Sequence, residues 1–109
     1  MAKGKRILVV DDEPAIRDSL CEELRAAGYD AVSASDGREA LESFRDDEPD
    51  LVLTDLAMPG SDGFALIRAI RASRATPIIV ISVRGGESDK IRALDLGADD
   101  YVTKPFSLP

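Results

Sequence analysis

A doubly wound α/β domain, with a parallel sheet covered by helices on both faces, is the fold class that this sequence predicts. Three observations carry the prediction. Short runs of Val, Ile and Leu without polar alternation recur at residues 7–10, 51–53 and 78–81, with a shorter pair at Tyr101-Val102, as expected of strands buried on both faces. Amphipathic helical patterns separate these runs. Gly and Pro fall singly, where an element must start or stop, and no repeat, low-complexity tract or linker interrupts the chain. The order reads β-α-β-α-β-α-β-α-β, which right-handed crossovers wind into one parallel sheet.

The first strand, residues 7–10, is followed by the clearest helix, with Ile16, Leu20, Leu24 and Ala27 on one face. Asp12 is a candidate N-cap, Pro14 sits in the first turn and Gly28 marks the stop. Residues 29–34 form a more polar strand at the sheet edge. A second helix begins at Asp36-Gly37-Arg38-Glu39, where the Asp caps and the Glu three residues later reaches back; it presents Ala40, Leu41 and Phe44. The third helix carries Phe64, Ile67 and Ile70 after Gly63, and the fourth carries Ile91 and Leu94 after Ser88 and ends at Gly97. A fifth helix is expected after Phe106. Because the sequence stops at Pro109, the chain reads as a single domain, 1–109, truncated before that helix, with any output machinery outside it.

Composition narrows the function. With 109 residues, 44% hydrophobic and 32% charged, one domain has the means to remove about 65% of its unfolded surface from water. No apolar run approaches the roughly 18 residues of a membrane helix, and Met1-Ala2-Lys3-Gly4-Lys5-Arg6 leads into a short strand rather than a signal-peptide core. A cytoplasmic location without membrane attachment is expected. Cys21 is the single cysteine and histidine is absent, which removes internal disulfides, thiolate zinc cages, His-based triads and phosphohistidine chemistry within this chain. A net charge of -7, from 21 acids against 14 bases, argues against direct nucleic-acid binding and suits a cation-binding or phosphate-accepting site.

In open α/β sheets ligands gather at the carboxyl ends of the strands. The first strand ends in Asp11-Asp12, the third in Thr54-Asp55, the fourth in Ser82, and the last is followed by Thr103-Lys104-Pro105. Each residue has an ordinary alternative: Asp12 as a helix cap, Asp11 as a solvated loop acid, Asp55 as a turn former before Ala57-Met58-Pro59-Gly60, Ser82 as a cap and Lys104 as a solvated base. Those alternatives leave the arrangement unexplained, because three acids at one strand-end cluster repel one another unless a cation neutralises them. A hard divalent ion such as Mg2+ does so through oxygen ligands. Lys104 adds a positive charge for an incoming anion, and Ser82 a hydroxyl. This set suits phosphoryl transfer to a carboxylate, with Asp55 as nucleophile on the central strand.

These residues resemble the receiver domains of two-component response regulators. The resemblance spans essentially the whole chain and rests on four motifs in order: Val9-Val10-Asp11-Asp12-Glu13; Asp55-Leu56-Ala57-Met58-Pro59-Gly60 with Asp62-Gly63; Ile81-Ser82; and Gly97-Ala98-Asp99-Asp100-Tyr101 through Lys104-Pro105-Phe106. It implies a flavodoxin-like, five-stranded parallel sheet in the order 2-1-3-4-5. It further implies that Asp55 accepts a phosphoryl group from a histidine kinase, that Asp11, Asp12, Asp55 and the backbone carbonyl of Ala57 bind Mg2+, and that Ser82 and Lys104 contact the phosphoryl oxygens. Ser82 and Tyr101 match the family's switch, although an aromatic near the end of a buried strand is, without that motif context, more often a core residue. A cis peptide before Pro105 also comes by resemblance.

The tail of the match is most similar to receivers carrying a winged-helix DNA-binding domain, the OmpR/PhoB type. That similarity implies an interaction face of Lys90, Ile91, Leu94, Asp99 and Asp100, a homodimer through the fourth helix, last strand and fifth helix, and DNA contact only through an output domain. Lys90, Ile91 and Leu94 read equally as a solvated base beside core residues. Val83 departs from the family's usual small residue after the switch hydroxyl, which predicts narrower access and a longer-lived phosphoryl group, with Gly85-Gly86 loosening the loop. The expected protein catalyses its own phosphoryl transfer and is otherwise not an enzyme. An aspartyl-phosphate hydrolase needs a second carboxylate two residues beyond Asp55, where Ala57 stands. A flavin carrier of this fold needs a Ser/Thr/Gly-rich phosphate loop where Asp11-Asp12-Glu13 stands. A phosphorylation-independent interaction module has no use for Asp55, both acids and Lys104 together.

Overall fold

Side chains along a strand alternate between the two faces of its sheet, and in the first strand all of them are apolar from Ile7 onward, so both faces must be covered. The computed structural model describes residues 4–58, 61–82 and 87–103. The elements are β1 (Arg6–Val10), α1 (Pro14–Ala26), β2 (Asp30–Ala34), α2 (Gly37–Asp46), β3 (Leu51–Thr54), β4 (Ala57–Met58), β5 (Ser61–Asp62), α3 (Gly63–Arg71), β6 (Ile78–Ser82), α4 (Glu87–Asp95) and β7 (Asp100–Thr103). Five strands form one parallel sheet in the order β2-β1-β3-β6-β7. Counting only the strands of this sheet, that is the expected 2-1-3-4-5. Lys104, Pro105, Phe106 and Val83 lie outside the described residues.

Leu8, Val10, Val52, Ile78 and Val80 turn to one face, where they pack with Ala40 and Phe44 of α2, Phe64, Ile67 and Ile70 of α3 and Ala93 of α4. Ile7, Val9, Leu53 and Ile81 turn to the other face and meet Leu20, Cys21 and Leu24 of α1. Burying each such Val, Leu or Ile contributes about 1.5–3 kcal/mol. Cys21 sits in this apolar layer, and burial pushes its thiol pKa up, so it behaves as a small hydrophobe.

Several helix ends differ from the expectation. Glu13, not Asp12, is the N-cap of α1; it makes no side-chain cap bond, and the start is set by Pro14 in the first turn. Asp12 is thereby left to the strand-end cluster. Ala27 falls beyond the end of α1 and is exposed, while Cys21 takes a buried place on the helix. Gly28 and Gly97 have φ of 97° and 116°, the left-handed conformation that ends α1 and α4 as their positions predict. In α2 the Asp36 carboxylate accepts from the Glu39 N–H at 2.8 Å, and the Glu39 carboxylate accepts from the Ser35 N–H at 3.0 Å, one residue earlier than a standard capping box. The segment expected as loop after Asp55 contains the antiparallel pair β4 and β5.

At the opposite edge from the strand carboxyl ends, Arg71 clamps three segments. Its guanidinium donates to the Gly97 carbonyl (2.9 Å), the Thr76 carbonyl (2.7 Å) and the Asp99 carboxylate (2.8 Å). The same Asp99 oxygen accepts from the Ile78 N–H at 2.8 Å. This ties the end of α3 to the start of β6 and to the turn between α4 and β7.

Candidate functional site

Parallel register decides which residues share the carboxyl edge. Val10 pairs with Ala34 on one side and with Thr54 on the other, so β1 and β3 end level and the next residues, Asp11 and Asp55, stand side by side. The Asp55 N–H donates to the Val10 carbonyl at 3.0 Å, and the Asp11 N–H to the Ala34 carbonyl at 3.1 Å. Asp12 follows in the turn into α1.

One carboxylate oxygen from each of Asp11, Asp12 and Asp55 lies within 4.8 Å of the others. Asp11 is 2% and Asp55 7% exposed, and Asp12 is half-buried. Backbone donors hold the two buried members: the Glu13 N–H donates to Asp11 Oδ1 at 3.0 Å and the Leu56 N–H to Asp55 Oδ1 at 2.7 Å. Such charge-assisted bonds are short and orient a carboxylate. They offset part of the repulsion among three anions. The donors are all hard oxygens, with neither imidazole nor thiolate among them, and that set fits Mg2+ rather than a softer transition ion.

The other predicted residues fall into three groups. The backbone of Ser82 closes β6 opposite Thr103 of β7, two positions beyond Val80, which pairs with Thr54; Ser82 thus stands at the same edge as the acids. Ala57 lies in β4, two residues past Asp55 and paired with Asp62. Lys104, one residue past β7, is outside the described residues. Tyr101 is half-buried against the α2/α3/α4 core layer.

Ile91 and Leu94 are 54% and 38% exposed, so α4 presents them outward, with exposed Lys90 beside them, and fills the core with Ala93 instead. Asp100 is exposed, while Asp99 is held by Arg71 and the Ile78 N–H.

Two residues at the site were not singled out by their side chains in the sequence. Gly63 opens α3 directly beneath the phosphoacceptor candidate: a Cβ there would meet the Asp55 carbonyl and come within 2.6 Å of Leu56 Cα. Its N–H donates to the Leu56 carbonyl at 2.9 Å. Arg17 reaches back from α1 to donate to the Asp11 carbonyl at 2.8 Å. Its place in the first turn of α1, six residues past Asp11 and five past Asp12, is the signal that sequence spacing offers for it.

Comparison with known proteins places this chain in a family. Residues 7–109 match the profile of the response regulator receiver domain. The receiver domain of the Francisella response regulator 1452 is 35% identical, with a TM-score of 0.89 over 95% of this chain and 87% of that one. The chemotaxis response regulator CheY4 of Vibrio cholerae is 31% identical, with a TM-score of 0.90 over 96% and 90% of the two chains. The BeF3-activated N-terminal receiver domain of Klebsiella pneumoniae RstA is 31% identical, with a TM-score of 0.89 over 94% and 87%. This chain belongs to the response regulator receiver domain family, whose members are phosphorylation-operated signalling switches that work with histidine kinases and bind Mg2+ at an acidic pocket. Among the described residues no helix is long and apolar enough to cross a membrane.

Proposed function

We propose that this chain is the receiver of a two-component system in which Asp55 takes a phosphoryl group from a histidine kinase and the α4/β7 face carries the result to an output. The observation that supports it best is the trio of carboxylates, Asp11, Asp12 and Asp55, gathered within 4.8 Å at the carboxyl edge of a parallel sheet. An oxygen of the Asp55 carboxylate forms the new bond to phosphorus, and the bond between phosphorus and the kinase imidazole nitrogen breaks, its electron pair leaving with the imidazole. The Leu56 N–H, holding Asp55 Oδ1 at 2.7 Å, orients that carboxylate. Asp11, Asp12, Asp55 and the Ala57 carbonyl hold Mg2+, which supplies charge neutralisation at the phosphoryl oxygens. Lys104 and the Ser82 hydroxyl take the remaining phosphoryl oxygens. The protein turns over its own phosphoryl group and no outside substrate.

Ser82 and Tyr101 transmit the change to the face of Lys90, Ile91, Leu94, Asp99 and Asp100. The outward Ile91 and Leu94, 54% and 38% exposed, favour an interaction face over a core role for these positions. Its occupant on this reading is a second copy of the receiver, as in the OmpR/PhoB class, with transcription controlled through a winged-helix domain outside residues 1–109 and a cytoplasmic location. Intact mass after incubation with Mg2+ and acetyl phosphate or a phosphorylated kinase tests the reading. A gain of about 80 Da that needs Mg2+ and is absent in Asp55→Asn supports it. No gain from either donor would leave a phosphorylation-independent interaction module.

A further inference from the structure

Arg17 occupies an unfavourable place for a cation. It is the fourth residue of α1, and the amino end of a helix carries a partial positive charge that disfavours Lys and Arg by several tenths of a kcal/mol. Its own N–H is bonded to the Glu13 carbonyl at 3.0 Å, so its backbone belongs to the first turn. Side chains on a helix lean toward the amino end. The half-buried guanidinium accordingly runs back over that turn and donates to the Asp11 carbonyl at 2.8 Å.

That contact completes a three-point hold on Asp11. Its N–H is taken by the Ala34 carbonyl at 3.1 Å, its Oδ1 by the Glu13 N–H at 3.0 Å, and its carbonyl by Arg17 at 2.8 Å. Fixing both the N–H and the carbonyl of one residue fixes the peptide that joins it to the next. The peptide after Asp11 is the one that aims Asp12, the least buried member of the trio.

We infer that Arg17 is a positioning residue for the metal site: by holding the Asp11 carbonyl it sets the Asp11-Asp12 peptide, so that both carboxylates face the ion's position before the ion arrives. This rests on the reading of the trio as a Mg2+ site. Removing a partner that orients metal ligands typically costs 10–100-fold in affinity. Arg17 acts on a backbone carbonyl rather than on a ligating oxygen, so the low end, about tenfold, is expected.

The test uses Arg17→Met, which keeps an apolar stem and loses the donor, and Arg17→Lys, which keeps a cationic donor. Mg2+ alone is titrated into each protein and followed by backbone amide NMR, and amide exchange at Asp12 and Glu13 is measured in EDTA. Arg17→Met is expected to weaken Mg2+ about tenfold and to speed exchange at Glu13 while sheet amides keep their protection. Arg17→Lys is expected to lie within about threefold of the parent in Mg2+ affinity. Equal or tighter Mg2+ binding by Arg17→Met overturns the inference, the tighter case because Arg17 would then act by charge repulsion of the ion. If Arg17→Met does not fold, an Arg17→Lys protein that binds as poorly as Asp11→Asn overturns it. Failure of the parent protein to bind Mg2+ at all, by contrast, removes the metal reading itself.

Discussion

Replacing Gly63 by Ala should strain the backbone that carries Asp55. The added Cβ would touch the Asp55 carbonyl and lie 2.6 Å from Leu56 Cα and 3.1 Å from the Leu56 carbonyl oxygen. Ordinary carbon contacts are about 3.5–4.0 Å, so the nearest carbon approach is roughly 1 Å too short. None of these atoms belongs to a side chain able to rotate away, so the start of α3 must shift against β3. Overpacking of this type costs about 1–3 kcal/mol, and the better helix propensity of Ala returns at most about 1 kcal/mol. The net loss centres on about 1–2 kcal/mol within a range of about 0–3 kcal/mol, or about 4–16 °C in melting temperature at that centre for a domain of this size. Urea unfolding followed by far-UV circular dichroism should show a midpoint lower by about 0.5–1 M with an unchanged slope. Gly28, with φ of 97° and nothing within 4 Å of its Cβ position, is the control: Ala there costs about 1–2 kcal/mol through backbone conformation alone, and Asn should recover part of it. A Gly63→Ala protein as stable as the parent would refute the packing described between α3 and the Asp55 backbone.

Arg71→Met removes four hydrogen bonds at once, one of them a long 3.4 Å bond to the Arg74 carbonyl, and should cost about 2 kcal/mol in urea unfolding, discounted because the Asp99 side chain is 55% exposed. Arg71→Lys should recover less than half of that loss, since one ammonium cannot span the Gly97, Thr76 and Asp99 oxygens together. Metal should stabilise the fold: at a Mg2+ concentration about a hundredfold above its dissociation constant, unfolding free energy should rise by about 2.7 kcal/mol over the value in EDTA. A melting temperature identical in EDTA and in excess Mg2+ would contradict the assignment of the trio.

What could be read from the sequence follows from which contacts are local. Unbroken apolar runs fix the strands because both faces of β1, β3 and β6 are covered, and the strand-end acids follow from where those runs stop. Capping at Asp36 is a relation between residues three apart, and spacing alone displays it. Asp12 misled as a cap because Pro14 begins the helix one residue late, leaving Glu13 at the boundary. Helical periodicity leaves Ile91 and Leu94 open between core and interaction face, and the structure turns both outward while α4 meets the core through Ala93. The Arg71 clamp joins residues 26 and 28 apart, and no periodicity encodes a partner at such separation. The β4/β5 pair is two residues long on each side, too short for alternation to register.

The carboxyl edge gathers like charge at the expense of local stability. Two carboxylates 4.8 Å apart repel by roughly 3.5 kcal/mol at an effective dielectric of 20, and there are three such pairs in the trio. The backbone donors from Glu13 and Leu56 return about 1.5–3 kcal/mol each. Among the described residues the cluster is flanked by level strand ends, a glycine where α3 meets the Asp55 backbone, and an arginine on the Asp11 carbonyl. The frame holds Asp11 and Asp55 by their backbone N–H groups and by one carboxylate oxygen each. On the reading of the trio as a Mg2+ site, a cation entering it would relieve that repulsion, and a frame already in place would turn the repulsion into affinity for it.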